Sequence, residues 1–127
     1  MREILFRGKC IETGKNKDKW LYGYLGADKH DEVFIAPIQE DGSALVGYYC
    51  DSSTIGQYVG KDKWDNDIFD GDIIISDFGR TAKVIWNRRK YGWALYGEDT
   101  RVEYLKEYKV IGNIHDNPEL LEVQNEK

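Results

Sequence analysis

TIGQYVGKDKWDNDIFDGDIII, residues 54–75, is the stretch whose reading decides the fold. Ile55 to Val59 is an extended run interrupted by Gly56 and Gly60, Ile68-Phe69 begins a second, and Asp72 to Ser76 is a third, dense in β-branched residues. Two knots of turn residues separate them, Trp64-Asp65-Asn66-Asp67 and Asp70-Gly71. Asp and Asn bond their own backbone and tolerate left-handed φ, and Gly supplies positive φ at no steric cost. The stretch therefore reads as a joint between an N-terminal set of strands and a C-terminal sheet.

Downstream, Asp77 to Arg80 is a tight connection, Thr81 to Trp86 a returning strand, Asn87 to Lys90 a basic tip and Gly92 to Tyr96 a third arm. Turns about every ten residues across Asp72 to Tyr96 predict an antiparallel meander of a small barrel or sandwich. Thr100 is a cap for a short helix over Arg101 to Glu107, with a strand as the alternative. Tyr108 to Ile114 is extended, and Asn117-Pro118 starts a terminal helical turn over 118–127.

Upstream, Glu3 to Gly8, Trp20 to Leu25, Val33 to Ala36 and Leu45 to Cys50 read as strands. They are joined by polar loops, the last of them through Asp41-Gly42, a hairpin dipeptide. Pro37 cannot donate to a ladder and marks a strand end. The expectation is one mostly-β domain over 1–127, with strands and hairpins in 1–50 and a barrel-like part in 51–117.

Composition agrees with a folded soluble domain: 41% hydrophobic and 32% charged residues leave no room for a disordered class. Apolar runs such as Ile73-Ile74-Ile75 are far too short to span a bilayer, and MREILFRGK is too charged for a signal peptide. A cytoplasmic protein without a membrane partner is expected. Cys10 and Cys50, with no CxxC spacing, read as two free thiols rather than a disulfide or, with the scattered His30 and His115, a zinc site.

The net charge of −5 argues against a surface that binds polyanions everywhere. Its distribution is uneven. Asp51 to Asp72 holds six acids and two bases, whereas Arg80 to Lys90 holds five bases and no acid. Blocks of this kind are solvated faces, or they meet within or between subunits.

Asp65, Asp67 and Asp70 are weak metal candidates. An EF-hand loop started at Asp65 puts Phe69 at its fifth position and Asp70 where Gly belongs, so the pattern fails. Turn-building is the plainer reading of these carboxylates, with Asp70 and Asp72 accepting from backbone N–H groups around Gly71. His115 and His30 lie at element boundaries with no partner motif, and neither a nucleophile elbow nor a phosphate loop exists. No catalytic residue or cofactor is assigned. Arg80, Lys83, Arg88, Arg89 and Lys90 with Trp86 and Trp93 form a candidate nucleic-acid face, since small barrels stack bases on aromatics beside basic grooves. Aromatics on meander strands are also ordinary core residues.

Three stretches, REILFRGKCIETGKNKDKWLYGYL, TIGQYVGKDKWDNDIFDGDII and VIGNIHDNPELL, stand in an order that resembles the YopX family of phage and prophage proteins. The resemblance implies a mostly-β protein whose C-terminal part is a bifurcated antiparallel sheet closing into a pseudo-barrel, and it transfers no activity. Trp64 stands where the family tends to place a small turn residue. Tyr22, Tyr24, Tyr48, Tyr49 and Tyr58 combine apolar area with a polar tip, as interfaces require. The expected role is an accessory protein that binds or self-assembles as a homo-oligomer. Nucleic acid, or another phage or host protein, is the alternative partner, and a metal-dependent enzyme is the remote one.

Overall fold

The computed structural model describes residues 5–44, 46–87, 92–96, 100–101 and 106–121, with the side chains at 86, 87, 92–96, 100 and 101 outside that description. Eleven strands are present among them: β1 (Phe6–Lys9), β2 (Trp20–Ala27), β3 (Val33–Pro37), β4 (Tyr48–Tyr49), β5 (Gly56–Lys61), β6 (Asp67–Phe69), β7 (Asp72–Ser76), β8 (Thr81–Asn87), β9 (Gly92–Tyr96), β10 (Thr100–Arg101) and β11 (Tyr108–Asn113). They form a six-stranded sheet in the order β4-β3-β2-β1-β5-β6 and a second sheet in the order β10-β9-β8-β7-β11. The chain divides into two compact units, Met1–Tyr58 and Val59–Lys127.

In the N-terminal unit, β1, β2 and β3 follow the chain as an antiparallel meander, with Arg7 opposite Tyr22 and Leu25 opposite Ile35. The Arg7 guanidinium is buried 4.7 Å from the centre of the Trp20 ring, a cation–π contact out of water. The expected strand over Leu45 to Cys50 is shorter. Among its described residues only Tyr48 and Tyr49 pair with β3, and Cys50 forms an isolated antiparallel bridge with Cys10; Leu45 lies outside the described residues. Asp51 then caps a 3-10 turn over Ser52–Thr54, accepting from the Ser53 N–H at 3.0 Å. The buried Thr54 hydroxyl donates to the Asp51 carbonyl and accepts from the Lys9 N–H, tying that turn to β1.

The C-terminal unit is built on β7. Three consecutive isoleucines give it no polar face, and Ile73 and Ile74 are both fully buried, the pattern of a strand covered on both sides. Ile74 lies opposite Ala82 of β8 and Val110 of β11, and these pack with Ile68, Val84, Tyr108 and Val59 into the main apolar cluster. Ala82 and Val84 alternate along β8, as the period of a strand requires.

Thr100 and Arg101 pair with β9 in antiparallel register, Thr100 opposite Leu95 as the strand alternative requires, and the centre of the expected helix over Arg101 to Glu107, at 102–105, lies outside the described residues. The terminal helical turn is present over 119–121. The pseudo-barrel is not: the second sheet ends at β10 and β11, and no pairing among the described residues joins those edges. The sequence shows how many strands follow one another, but closure depends on stagger between strands, which hydrophobic alternation does not encode.

Candidate functional site

The acidic stretch resolves into separate structural tasks. Asp62 is 1% exposed at the foot of the β5–β6 hairpin, and its own backbone closes the turn by donating to the Asn66 carbonyl. Its Oδ1 accepts from the Trp64 and Asn66 N–H groups, both at 2.8 Å. Its Oδ2 accepts from the Asn66 amide at 3.2 Å and from the Val110 N–H at 3.0 Å, beside the bulge in β11. Burial pushes the Asp62 carboxyl up, but this set of donors outweighs it and holds the group below the ordinary carboxylate range.

Asp72 is buried and accepts from the Phe69 N–H at 2.7 Å, closing the turn around Gly71. Gly71 has φ 92°; its N–H donates to Val84 and its carbonyl accepts from Ile114, so the turn locks into β8 and into the segment after β11.

The three metal candidates are not brought together. Asp65 is an exposed turn residue at φ 66°, Asp67 pairs with Lys61 at 2.6 Å, and Asp70 is half-buried. Among the described residues no group of three or more His, Cys, Asp or Glu side chains converges as a metal site. The His115 N–H donates to Asn113 Oδ1 in a turn shared with Asp116, and His30 is an exposed loop residue.

The basic candidates are split. Arg80 stands in the β7–β8 turn and Lys83 lies half-buried on β8. Trp86 and Trp93 are in register across β8 and β9, with their side chains outside the described residues, as are Arg88, Arg89 and Lys90 altogether.

What the structure does assemble is a groove of about 800 Å³ lined by Lys63, Ser76 to Phe78, Arg80 and Lys106 to Tyr108. Phe78 stands beside it, 94% exposed at the tip of an ordered hairpin. Ser76 Oγ holds that tip by accepting from the Phe78 and Arg80 N–H groups at 3.3 and 3.2 Å. The Lys63 ammonium bonds Asp77 and lies 5.8 Å from the Trp64 ring centre, and Trp64 is itself 66% exposed. Two exposed aromatics thus flank an ion pair, with Arg80 and Lys106 alongside. Reading the sequence placed Trp64 in a turn and Arg80 in a connection but missed Phe78; an aromatic between Asp77 and Gly79, where no strand can bury it, was the available signal.

The N-terminal unit carries a groove of opposite character, about 370 Å³, lined by Ile11, Val33 and Tyr49 with Asp31, Glu32 and Asp51. Its rim is preorganised. Asp28 Oδ1 accepts from the His30 and Glu32 N–H groups, and the Tyr49 hydroxyl donates to Asp28 Oδ2 at 3.0 Å. The Glu32 N–H is the chief reason that the Asp28 carboxyl lies below its ordinary range, while the bond to Asp28 raises the Tyr49 phenol. Glu12 accepts from the Tyr49 N–H at 2.6 Å, adding another carboxylate beside this edge.

A family model described as YopX protein matches residues 7–122. No curated protein matches the chain. The match runs from β1 through the terminal helical turn, across both units and both grooves. With nearly its whole length matched by that one model, the chain belongs to the YopX family.

Proposed function

We propose that this chain acts by binding rather than by chemistry, and that its partner is a second copy of itself. The observation that carries the reading is Phe78, a large apolar side chain held 94% exposed on a hydrogen-bonded hairpin tip. Exposed aromatics on ordered scaffolds are the usual anchors of interfaces, because they bring buried area at little entropic cost. Charge complementarity supports the choice of occupant. The tip carries Arg80 beside Phe78, and the N-terminal groove is lined by Ile11 and Val33 together with Asp31, Glu32 and Asp51. A tip of one copy in the groove of the next is a head-to-tail contact, which propagates into rings or filaments. A phage- or prophage-encoded accessory role in the cytoplasm accompanies this reading, on the strength of the family resemblance.

Charge reversal tests it. Arg80→Glu and Glu32→Lys each remove the complementarity, so each variant alone is expected to sediment as monomer. Mixed together they restore opposite charges at both ends and reassemble. Two variants that stay monomeric on mixing, or that assemble separately as well as wild type, contradict the proposal.

A second reading has its own observation. Phe78 and Trp64 beside Arg80 and Lys106 also suit stacking of single-stranded bases. Titration of a labelled oligonucleotide into wild type and Phe78→Ser decides it: salt-sensitive binding lost in the variant supports nucleic acid, and no binding removes it.

A further inference from the structure

Cys10 and Cys50 are opposed across an antiparallel bridge, and the backbone bonds around them define its type. The Ile11 N–H donates to Tyr49 at 3.0 Å and the Asp51 N–H donates to Lys9 at 2.9 Å. These bonds flank the cysteines and leave them as a non-hydrogen-bonded pair, in which facing Cα atoms stand about 4.5 Å apart with side chains on one face. Disulfides span Cα separations of about 4.4–6.8 Å, so the backbone already stands where a bridge needs it.

The thiols are free in the structure, each turned along its own strand: Cys10 Sγ donates to Glu12 at 4.0 Å and Cys50 Sγ to Tyr48 at 3.4 Å. Gly8 lets β1 pass close against Cys50, since a Cβ there would lie 2.6 Å from Ile55 Cδ1, 3.0 Å from Cys50 Cβ and 3.2 Å from its Sγ.

We propose that Cys10 and Cys50 are a cross-strand dithiol that a low-molecular-weight disulfide converts into an intramolecular disulfide. Cys10 is fully buried, whereas Cys50 is 4% exposed and lines the acidic groove, so exchange begins at Cys50. Its thiolate attacks one sulfur of the small disulfide and forms a mixed disulfide, expelling a thiolate that takes up the proton Cys50 lost. The Cys10 thiolate then attacks the Cys50 sulfur and expels the second small thiolate, which takes the Cys10 proton. Two protein S–H bonds and one small S–S bond break; one protein S–S bond and two small-molecule S–H bonds form. The cysteines lose two electrons and the small disulfide gains them.

Burial pushes the Cys50 thiol up to about 11, so its thiolate is scarce at neutral pH and the rate climbs about tenfold per pH unit below that value. The product ties the end of β1 to the end of β4, where a single bridge now holds them, and a long loop closed in the unfolded chain raises thermal stability.

The experiment incubates the full chain with glutathione disulfide from neutral to about pH 9, followed by alkylation, intact mass and peptide mapping. Wild type is expected to lose the mass of two hydrogens, to yield a linked Cys10–Cys50 peptide as monomer, and to melt several degrees higher. Cys10→Ser is expected to stop with one glutathione on Cys50, and Cys50→Ser to remain unmodified. If Cys10→Ser fails to fold, Cys10→Ala and the wild-type map carry the same comparison. A wild-type chain that retains glutathione on Cys50, links only between chains, or stays reduced while its denatured form oxidises overturns the proposal.

Discussion

Asp62 is a carboxylate used wholly on backbone and turn geometry, and its ionisation is therefore part of folding. Because its donors hold the folded group below the ordinary range, its contribution to stability is present above the unfolded pKa and is lost as pH falls through the folded value. Wild type is expected to lose urea resistance in acid below about pH 4, with Asp62→Asn showing a shallower loss. At neutral pH the same variant is less stable by about 1–3 kcal/mol, since an amide cannot accept at both positions and buried N–H groups are left over. Equal acid slopes in the two proteins would remove Asp62 from this role. Gly71→Ala tests the neighbouring turn: φ 92° in a residue with a Cβ is expected to cost about 1–2 kcal/mol in a denaturant titration. The Asp70-Gly71-Asp72 turn was legible in the sequence, since Asp72 closes it locally on the Phe69 N–H. Asp62 was legible only as one acid among several, because the Val110 N–H it accepts lies 48 positions away.

Among the elements, the β7–β8 hairpin joins two buried strands through an exposed tip. Its strands are held by Ile73, Ile74, Ala82 and Val84, while its tip is held by Ser76 Oγ on the Phe78 and Arg80 N–H groups and by Lys63 on Asp77. Ser76→Ala is expected to lower the unfolding free energy by about 0.5–1.5 kcal/mol through loss of the one oxygen that accepts from two N–H groups. Phe78→Ser leaves it within about 0.5 kcal/mol of wild type, because the ring buries almost nothing within its own chain. Thermal melts of both variants check the contrast, and a large destabilisation by Phe78→Ser would mean that the ring is core. Runs such as Asp72 to Ser76 and Thr81 to Trp86 were readable because alternation and β-branching coincide with turns at both ends. Leu45 to Cys50 was not, since among its described residues only Tyr48 and Tyr49 pair as a strand, while the Cys50 N–H donates to Val33 of β3 and Cys50 also bridges to Cys10. The barrel expected after residue 51 is not closed by any pairing among the described residues, and edge pairing is a tertiary property.

At the scale of the molecule, charge sign and exposed aromatics decide the account. One unit carries an acidic groove and the other an aromatic tip with basic neighbours, the two surfaces on which the proposed self-association rests. Opposite-sign blocks at Asp51 to Asp72 and Arg80 to Lys90 were visible in the sequence, and Arg88 to Lys90 of the second lie outside the described residues. Most of the acids of the first block build turns, and the carboxylates that line a groove come largely from the loops around residues 28–32 and 51. Electrostatic association weakens with ionic strength, whereas a purely apolar contact does not. The most direct test is static light scattering of wild type and Phe78→Ser over a concentration series at low and high salt. The account predicts a wild-type mass that rises above the monomer with concentration and falls with salt, and a monomeric Phe78→Ser; a wild-type monomer mass at every concentration and salt contradicts it.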